Sequence, residues 1–188
     1  PVTIVGIAAP EFFGETLRPL PVAHTTDLYR LGDSLNCCVN SGLQGEFSLF
    51  SYPLYRHFRE HISELAPLAA FQVRPVGFSV RRAGTTAPAQ PVSGVFVSGN
   101  YFDRLGVPIA AGRALADSDD TAGAAPVAIL SYRAWRDQHG LDPAIVGAAY
   151  TVNASPVTIV GIAAPEFFGE TLRPDPPDLW MPLGAEPV

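Results

Sequence analysis

The densest run of chemistry-bearing side chains is His57-Phe58-Arg59-Glu60-His61. Imidazoles four positions apart share one helix face, and H-x-x-E-H is the zinc signature of the inverted zincins. A catalytic zinc needs a third protein ligand. The chain offers Glu64 one turn on, and otherwise aspartates in loops. The preferred reading is a solvated helix face, with a zinc-dependent hydrolase built on His57, Glu60 and His61 as the alternative. A second acidic run, "DSDDTAG" from Asp117 to Gly123, is spaced like a calcium loop. It lacks the glycine at position six and the closing glutamate, so it reads as a polar loop.

Other reactive groups point to less. Cys37 and Cys38 are adjacent. Neighbouring Cα atoms lie about 3.8 Å apart, whereas ordinary disulfides want about 4.4–6.8 Å. Two free thiols are expected, a strained redox pair being the other option, and two thiols alone do not make a structural zinc site. Asn153-Ala154-Ser155 is a formal glycosylation sequon, but Pro156 follows it and a tight turn explains it. His24 and His139 stand alone and read as capping or surface residues. There is no G-x-G-x-x-G, no phosphate loop and no G-x-S-x-G. No catalytic residue, cofactor-binding residue or metal site is therefore assigned. Phe167, Phe168 and Trp180 flank a proline-rich loop. Core packing is their default role, and a partner-contact surface is the candidate function, because apolar loop patches mark interfaces.

The elements that must position these groups follow from pattern. Ser51 can cap a helix with Pro53 in its first turn, and Leu54, Phe58, Ile62 and Leu65 form its apolar stripe. Alternation over Phe71, Val73, Val76, Phe78 and Val80 predicts strand structure with a break at Pro75. A strand over 92–99 leads to a short helix that Asn100 can cap. Residues 112–126 read as a loop, "VAILS" as a buried strand, and "YRAWRDQHG" as a helix stopped by Gly140. Residues 150–163 read as a hairpin turning at Asn153–Pro156, and Leu179–Met181 as a short apolar segment. Together with a strand over 27–32, this mixture predicts an α+β domain.

Composition sets outer limits. The chain has 188 residues, 47% of them apolar and 16% charged, which suits a folded globular chain. Nineteen prolines are hard to place in a helical bundle and easy to place in strands and loops. A net charge of -6 offers no basic surface for nucleic acid. No apolar run approaches the ~20 residues of a membrane span. The chain reads as a soluble piece of something larger.

One segment occurs twice. "PVTIVGIAAPEFFGETLRP" begins at Pro1 and again at Pro156 without a substitution. The second copy has a hairpin partner just upstream and is taken as the native one. Residues 1–16 are read as a duplicated strand and loop out of native context. The apolar "VTIVGIA" of the first copy is expected to dock on a sheet edge of the same domain or of a second molecule.

Several long strings carry a family resemblance: "LRPLPVAHTTDLYRLGD", "FSLFSYPLYRHFRE", "VSGNYFDRLGVPIAAGRAL", the stretch from "VAILSYRAWRDQHG" through "GIAAPEFFGE", and "PDLWMPL". Over about Leu17 to Val188 the chain resembles the MacB-like periplasmic core domain of ABC transporter permeases with FtsX-like architecture, and most nearly an orphan subgroup abundant in acidobacteria. The resemblance implies a two-lobed domain, residues 17–188, lacking its C-terminal return. One lobe would mix early strands and helices with residues 127–140, and the other would be strand-rich around the 144–163 hairpin. It implies a non-catalytic, extracytoplasmic module attached to the bacterial inner membrane through flanking helices. The module would couple transporter motion to a substrate or protein partner in the periplasm, with a homodimer as one possible assembly. A third reading is an extracytoplasmic sensor that binds protein through the aromatic loop.

Overall fold

A computed structural model describes residues 2–7, 15–16, 28–30, 50–62, 68–169 and 175–186. Cys37, Cys38, His24 and Leu65 lie outside the described residues. Eleven strands form one mixed sheet: β1 Val2–Ile7, β2 Glu15–Thr16, β3 Leu28–Arg30, β4 Leu68–Gln72, β5 Val76–Arg82, β6 Gln90–Val97, β7 Ile109–Gly112, β8 Val127–Leu130, β9 Ala149–Val152, β10 Ser155–Ala163 and β11 Leu179–Pro182. Among the described residues, three α-helices accompany them: α1 Tyr52–His61, α2 Tyr101–Arg104 and α3 Tyr132–His139. The expected α+β class is the observed one. Strand β8 hydrogen-bonds to β10 in parallel register and to β11 antiparallel, so residues 127–130 join the hairpin to the strand that pairs with β6.

Six strands close on themselves. β6 pairs with β11, β11 with β8, β8 with β10, β10 with β9, β9 with β5, and β5 returns to β6. Alternation along each strand sends side chains to opposite faces, and the two faces feed two cores. Phe78, Val92, Phe96, Leu130, Ile159 and Met181 belong to one. Val95, Val97, Ile129 and Trp180 belong to the other, which α2 completes with Tyr101 and Phe102. β8 and β11 are buried at every position, as strands covered on both faces must be.

Local signals explain the helices. Ser51 caps α1 by accepting a hydrogen bond from the Leu54 amide at 3.3 Å, with proline in the first turn. Ser131 caps α3 in the same way, from the Ala134 amide at 3.0 Å, and Gly140 ends it in the left-handed region at φ 58. The Ser51 cap and the Gly140 stop match the sequence expectation. Asn100 does not: it makes no side-chain cap, because its amide is used in a buried network described below. The stripe expected on α1 is also rotated. Leu54 is 38% exposed, and Tyr55, 1% exposed, is the residue that enters the core. Its ring fills apolar space while its hydroxyl reaches the Leu68 carbonyl at 3.4 Å.

The duplicated letters occupy two places in this sheet. In β10 they pair with β9 and β7 antiparallel and with β8 parallel. In β1 they pair antiparallel with β4 over Val2–Gly6 and with β3 over Val5–Ile7. The docking expected of the first copy is thus seen within the same chain. The hairpin before β10 turns on Asn153 (φ 48) and Ala154 (φ 72). Two successive left-handed residues are what a two-residue type I′ loop requires. The Asn153 side-chain oxygen accepts from the Ser79 amide at 2.8 Å, so the sequon asparagine has a structural task.

Candidate functional site

The two acidic or metal-like motifs of the sequence meet in one cleft. Its walls are α1 and the 3₁₀ turn Asp117–Asp120, and it encloses about 440 Å³ lined by Tyr52, Tyr55, Arg59, Glu60, Asp117 and Asp120, among others. The polar groups in it are occupied by one another. Arg59 donates to Asp117 at 2.9 Å, and its guanidinium lies 5.8 Å from the Tyr55 ring centre. Glu60 pairs with Arg56 at 3.4 Å along the helix. Asp119 accepts two bonds from Arg113, at 2.6 and 2.9 Å, and one from the Ala116 amide at 2.8 Å.

Asp120 is the most enclosed acid of the cleft. Its carboxylate accepts from the Gly184 amide at 2.6 Å, the Gly99 amide at 3.2 Å and the Tyr52 hydroxyl at 3.4 Å. It joins α1, the 3₁₀ turn, the end of β6 and the segment after β11. Burial raises its pKa, and the two amides and the phenol only partly counter this. Burial first, and then the Asp120 charge, push the Tyr52 phenol up to about 12. For Asp119 the Arg113 hydrogen bond dominates, so its carboxyl is held below the ordinary value.

The H-x-x-E-H residues are not convergent. The rings of His57 and His61 stack at 4.2 Å, and His61 Nδ1 lies 3.0 Å from the His57 carbonyl oxygen. Glu60 turns to Arg56 instead of toward them. No group of three or more His, Cys, Asp or Glu side chains among the described residues is placed to hold a metal. The acids of the "DSDD" run serve as cation and amide acceptors that pin the turn.

The three aromatic candidates separate. Trp180 is fully buried and Phe167 is 4% exposed. They pack against each other at 5.3 Å and edge-on against Phe102 at 5.8 and 5.7 Å. Neither offers surface to a partner in this conformation. Phe168 is half-buried and borders a groove of about 280 Å³ with Tyr132, Arg133, Arg136, Pro165 and Pro177. Arg133 is anchored there by Asp178 at 2.7 Å and the Pro176 carbonyl at 3.0 Å. Sequence reasoning missed these two arginines. Their spacing on α3 beside the proline-rich loop was the available signal.

The family model described as the MacB-like periplasmic core domain matches residues 13–186. The chain belongs to the MacB-like periplasmic core domain family. Solved structures similar to this MacB-like domain include two outer domains of transporters. One is the extracellular domain of the noncanonic ABC-type transporter YknZ from Gram-positive bacteria, at 15% identity and TM-score 0.42, covering 58% of this chain and 51% of that one. The other is the periplasmic region of MacB from Actinobacillus actinomycetemcomitans, at 10% identity and TM-score 0.45, covering 97% and 65%. The domain therefore spans less than two thirds of either structure. No curated protein sequence matches it. Among the described residues, no helix is long and apolar enough to cross a membrane.

Proposed function

We propose that this domain is the extracytoplasmic, non-catalytic part of an ABC-type permease, and that it couples transporter motion to binding of a substrate or protein partner outside the inner membrane. The family match over residues 13–186 carries the reading. Two features support it. The acids and bases of the cleft are spent on cross-links between elements, which suits a body that transmits force. The groove beside Phe168 combines apolar and cationic side chains, which suits a protein contact. Partner contact is accordingly assigned to Phe168 with Arg133 and Arg136, and Phe167 and Trp180 support that loop from below. Membrane attachment is through flanking helices, and two copies of the domain face each other in the assembled transporter.

The test is made in the full permease with its nucleotide-binding partner, in lipid nanodiscs. Spin labels at Arg136→Cys, in a Cys37→Ser/Cys38→Ser background, report the distance between copies. The reading expects that distance to change between nucleotide-free and ATP-bound states. An invariant distance, or none because the domains do not face each other, would overturn it.

A further inference from the structure

The closed ring of six strands is not filled. A cavity of about 270 Å³ opens at one end of it, beneath the loop 85–88 and the end of α3. Every strand of the ring contributes to its wall: Val80, Val92, Leu179, Leu130, Ile159 and Val152 come from β5, β6, β11, β8, β10 and β9 respectively. Barrels of about eight strands are just wide enough for side chains to fill their interior, so a six-stranded ring with this much space is unusual. The volume exceeds the 150 Å³ apolar cavity that accepts benzene and approaches the lower end of ligand pockets.

The charged side chains that line this cavity, Arg81 and Arg82, are both cationic. Tyr150 lines it and is 4% exposed, and its hydroxyl has no hydrogen-bond partner among the described residues. A buried donor left unpaired is costly, and a ligand oxygen would satisfy it. At the rim stand Arg81, Arg82, Gln138 and His139. Among the described residues, the Arg82 guanidinium is held by a long 3.6 Å contact with Asp142. The lining contains no Asp or Glu, and Asp142 beside it offsets one of the two arginines, so the mouth keeps a net positive charge that favours an anion.

We propose that this cavity binds a small amphipathic carboxylic acid, its apolar body inside the strand ring and its carboxylate at Tyr150 and the rim arginines. At about 30 Å³ per water-sized unit, the space holds roughly nine to ten heavy atoms, the size of octanoate. The Tyr150 O–H and the Arg82 guanidinium donate to the carboxylate. The site lies apart from the Phe168 groove and does not depend on the transporter reading.

Isothermal titration calorimetry of the chain with octanoate, octanol and octylamine tests this. Octanoate is expected to bind one-to-one with Kd on the order of 0.1 mM, octanol about tenfold more weakly, and octylamine more weakly still. Tyr150→Phe should weaken octanoate about tenfold without lowering the melting temperature, since it removes an unpaired hydroxyl. Val80→Trp, at the half-buried rim, should abolish binding by filling the space. Absence of saturable octanoate binding up to about 10 mM would overturn the proposal. So would octylamine binding as tightly as octanoate, or unchanged octanoate affinity in Tyr150→Phe. The headgroup series and Tyr150→Phe remain decisive if Val80→Trp does not fold.

Discussion

Removing the Asn100 side chain should unfasten β4 from the ring. β4 meets β6 at a single register pair, Phe71 with Val97, so side chains supply much of the attachment. Ser98 is fully buried and Asn100 is 8% exposed. The Ser98 hydroxyl donates to the Asn100 side-chain oxygen at 2.8 Å and accepts from the Ala70 amide at 2.9 Å. The Asn100 amide donates to the Leu68 carbonyl at 2.9 Å. Asn100→Ala deletes two of these three bonds and takes the acceptor from a buried hydroxyl, which keeps its bond from Ala70. A net loss of about 1 kcal/mol for the bond to Leu68, with a desolvation penalty of about 1–3 kcal/mol for the Ser98 hydroxyl that loses its acceptor, gives roughly 2–4 kcal/mol. The Leu68 carbonyl keeps its bond from Tyr55, which holds the figure below its ceiling. For a domain of this size the melting temperature should fall by roughly 5–15 °C. Urea unfolding followed by tryptophan fluorescence reads the loss directly. Because Ser98 and Asn100 share one network, the Ser98→Ala/Asn100→Ala pair should cost less than the sum of the single changes. A loss under about 0.5 kcal/mol for Asn100→Ala, or strict additivity, would refute the reasoning.

Three further outcomes are expected. Asp119→Asn should cost about 1–2 kcal/mol at pH 7, nearer the lower figure because Arg113 is half exposed. The Asp119 carboxyl titrates below its ordinary 3.8 in the folded state, so its contribution is present above that value and is lost as pH falls through the folded one. Urea midpoints of wild type and variant should therefore converge as pH falls below 3.8 and through the lower folded value, and a constant gap would contradict the assignment. Tyr52, raised from 10.0 to about 12, stabilises the fold below pH 10.0 and ceases to do so as pH rises through about 12. A wild-type minus Tyr52→Phe ultraviolet titration should show a phenolate appearing near pH 12 rather than 10.0. Ala154→Gly should stabilise the domain by about 0.5–1 kcal/mol, because alanine at φ 72 carries a left-handed penalty that glycine lacks. Thermal unfolding checks the sign.

What the sequence disclosed was local. Ser51 and Gly140 announce helix ends through neighbours three or four residues away, and the structure uses both. The alternation that predicts β5 survives because burial of one face fixes strand register. Features that depend on distant partners were hidden. Tyr55 displaces Leu54 from the core because its hydroxyl finds the Leu68 carbonyl, an acceptor that periodicity cannot anticipate. Asn100 abandons its cap for Ser98 and Leu68 for the same reason. Strand β7 lay inside a stretch with weak alternation, and only its pairing with the bulged end of β10 defines it. Closure of the ring joins β6 to β11 in parallel, residues 94–97 against 179–182, and no short-range pattern encodes such a contact. The acidic run at 117–120 was readable as a turn. Its carboxylates were not readable as partners for Arg59, Arg113 and three backbone amides, because those partners lie on other elements or face it only after folding. The aromatic triad was half legible: its residues do cluster, but burial claims Phe167 and Trp180.

The central claim is that this domain works on the outer face of the inner membrane as part of a permease. Labelling decides it most directly. The full permease, carrying Cys37→Ser, Cys38→Ser and Arg136→Cys, is expressed in intact cells and treated with a membrane-impermeant maleimide. Arg136 is 57% exposed on α3, so a cysteine there is open to reagent. The account predicts labelling before lysis at the level reached after it. Labelling that appears only once the cells are broken would contradict it.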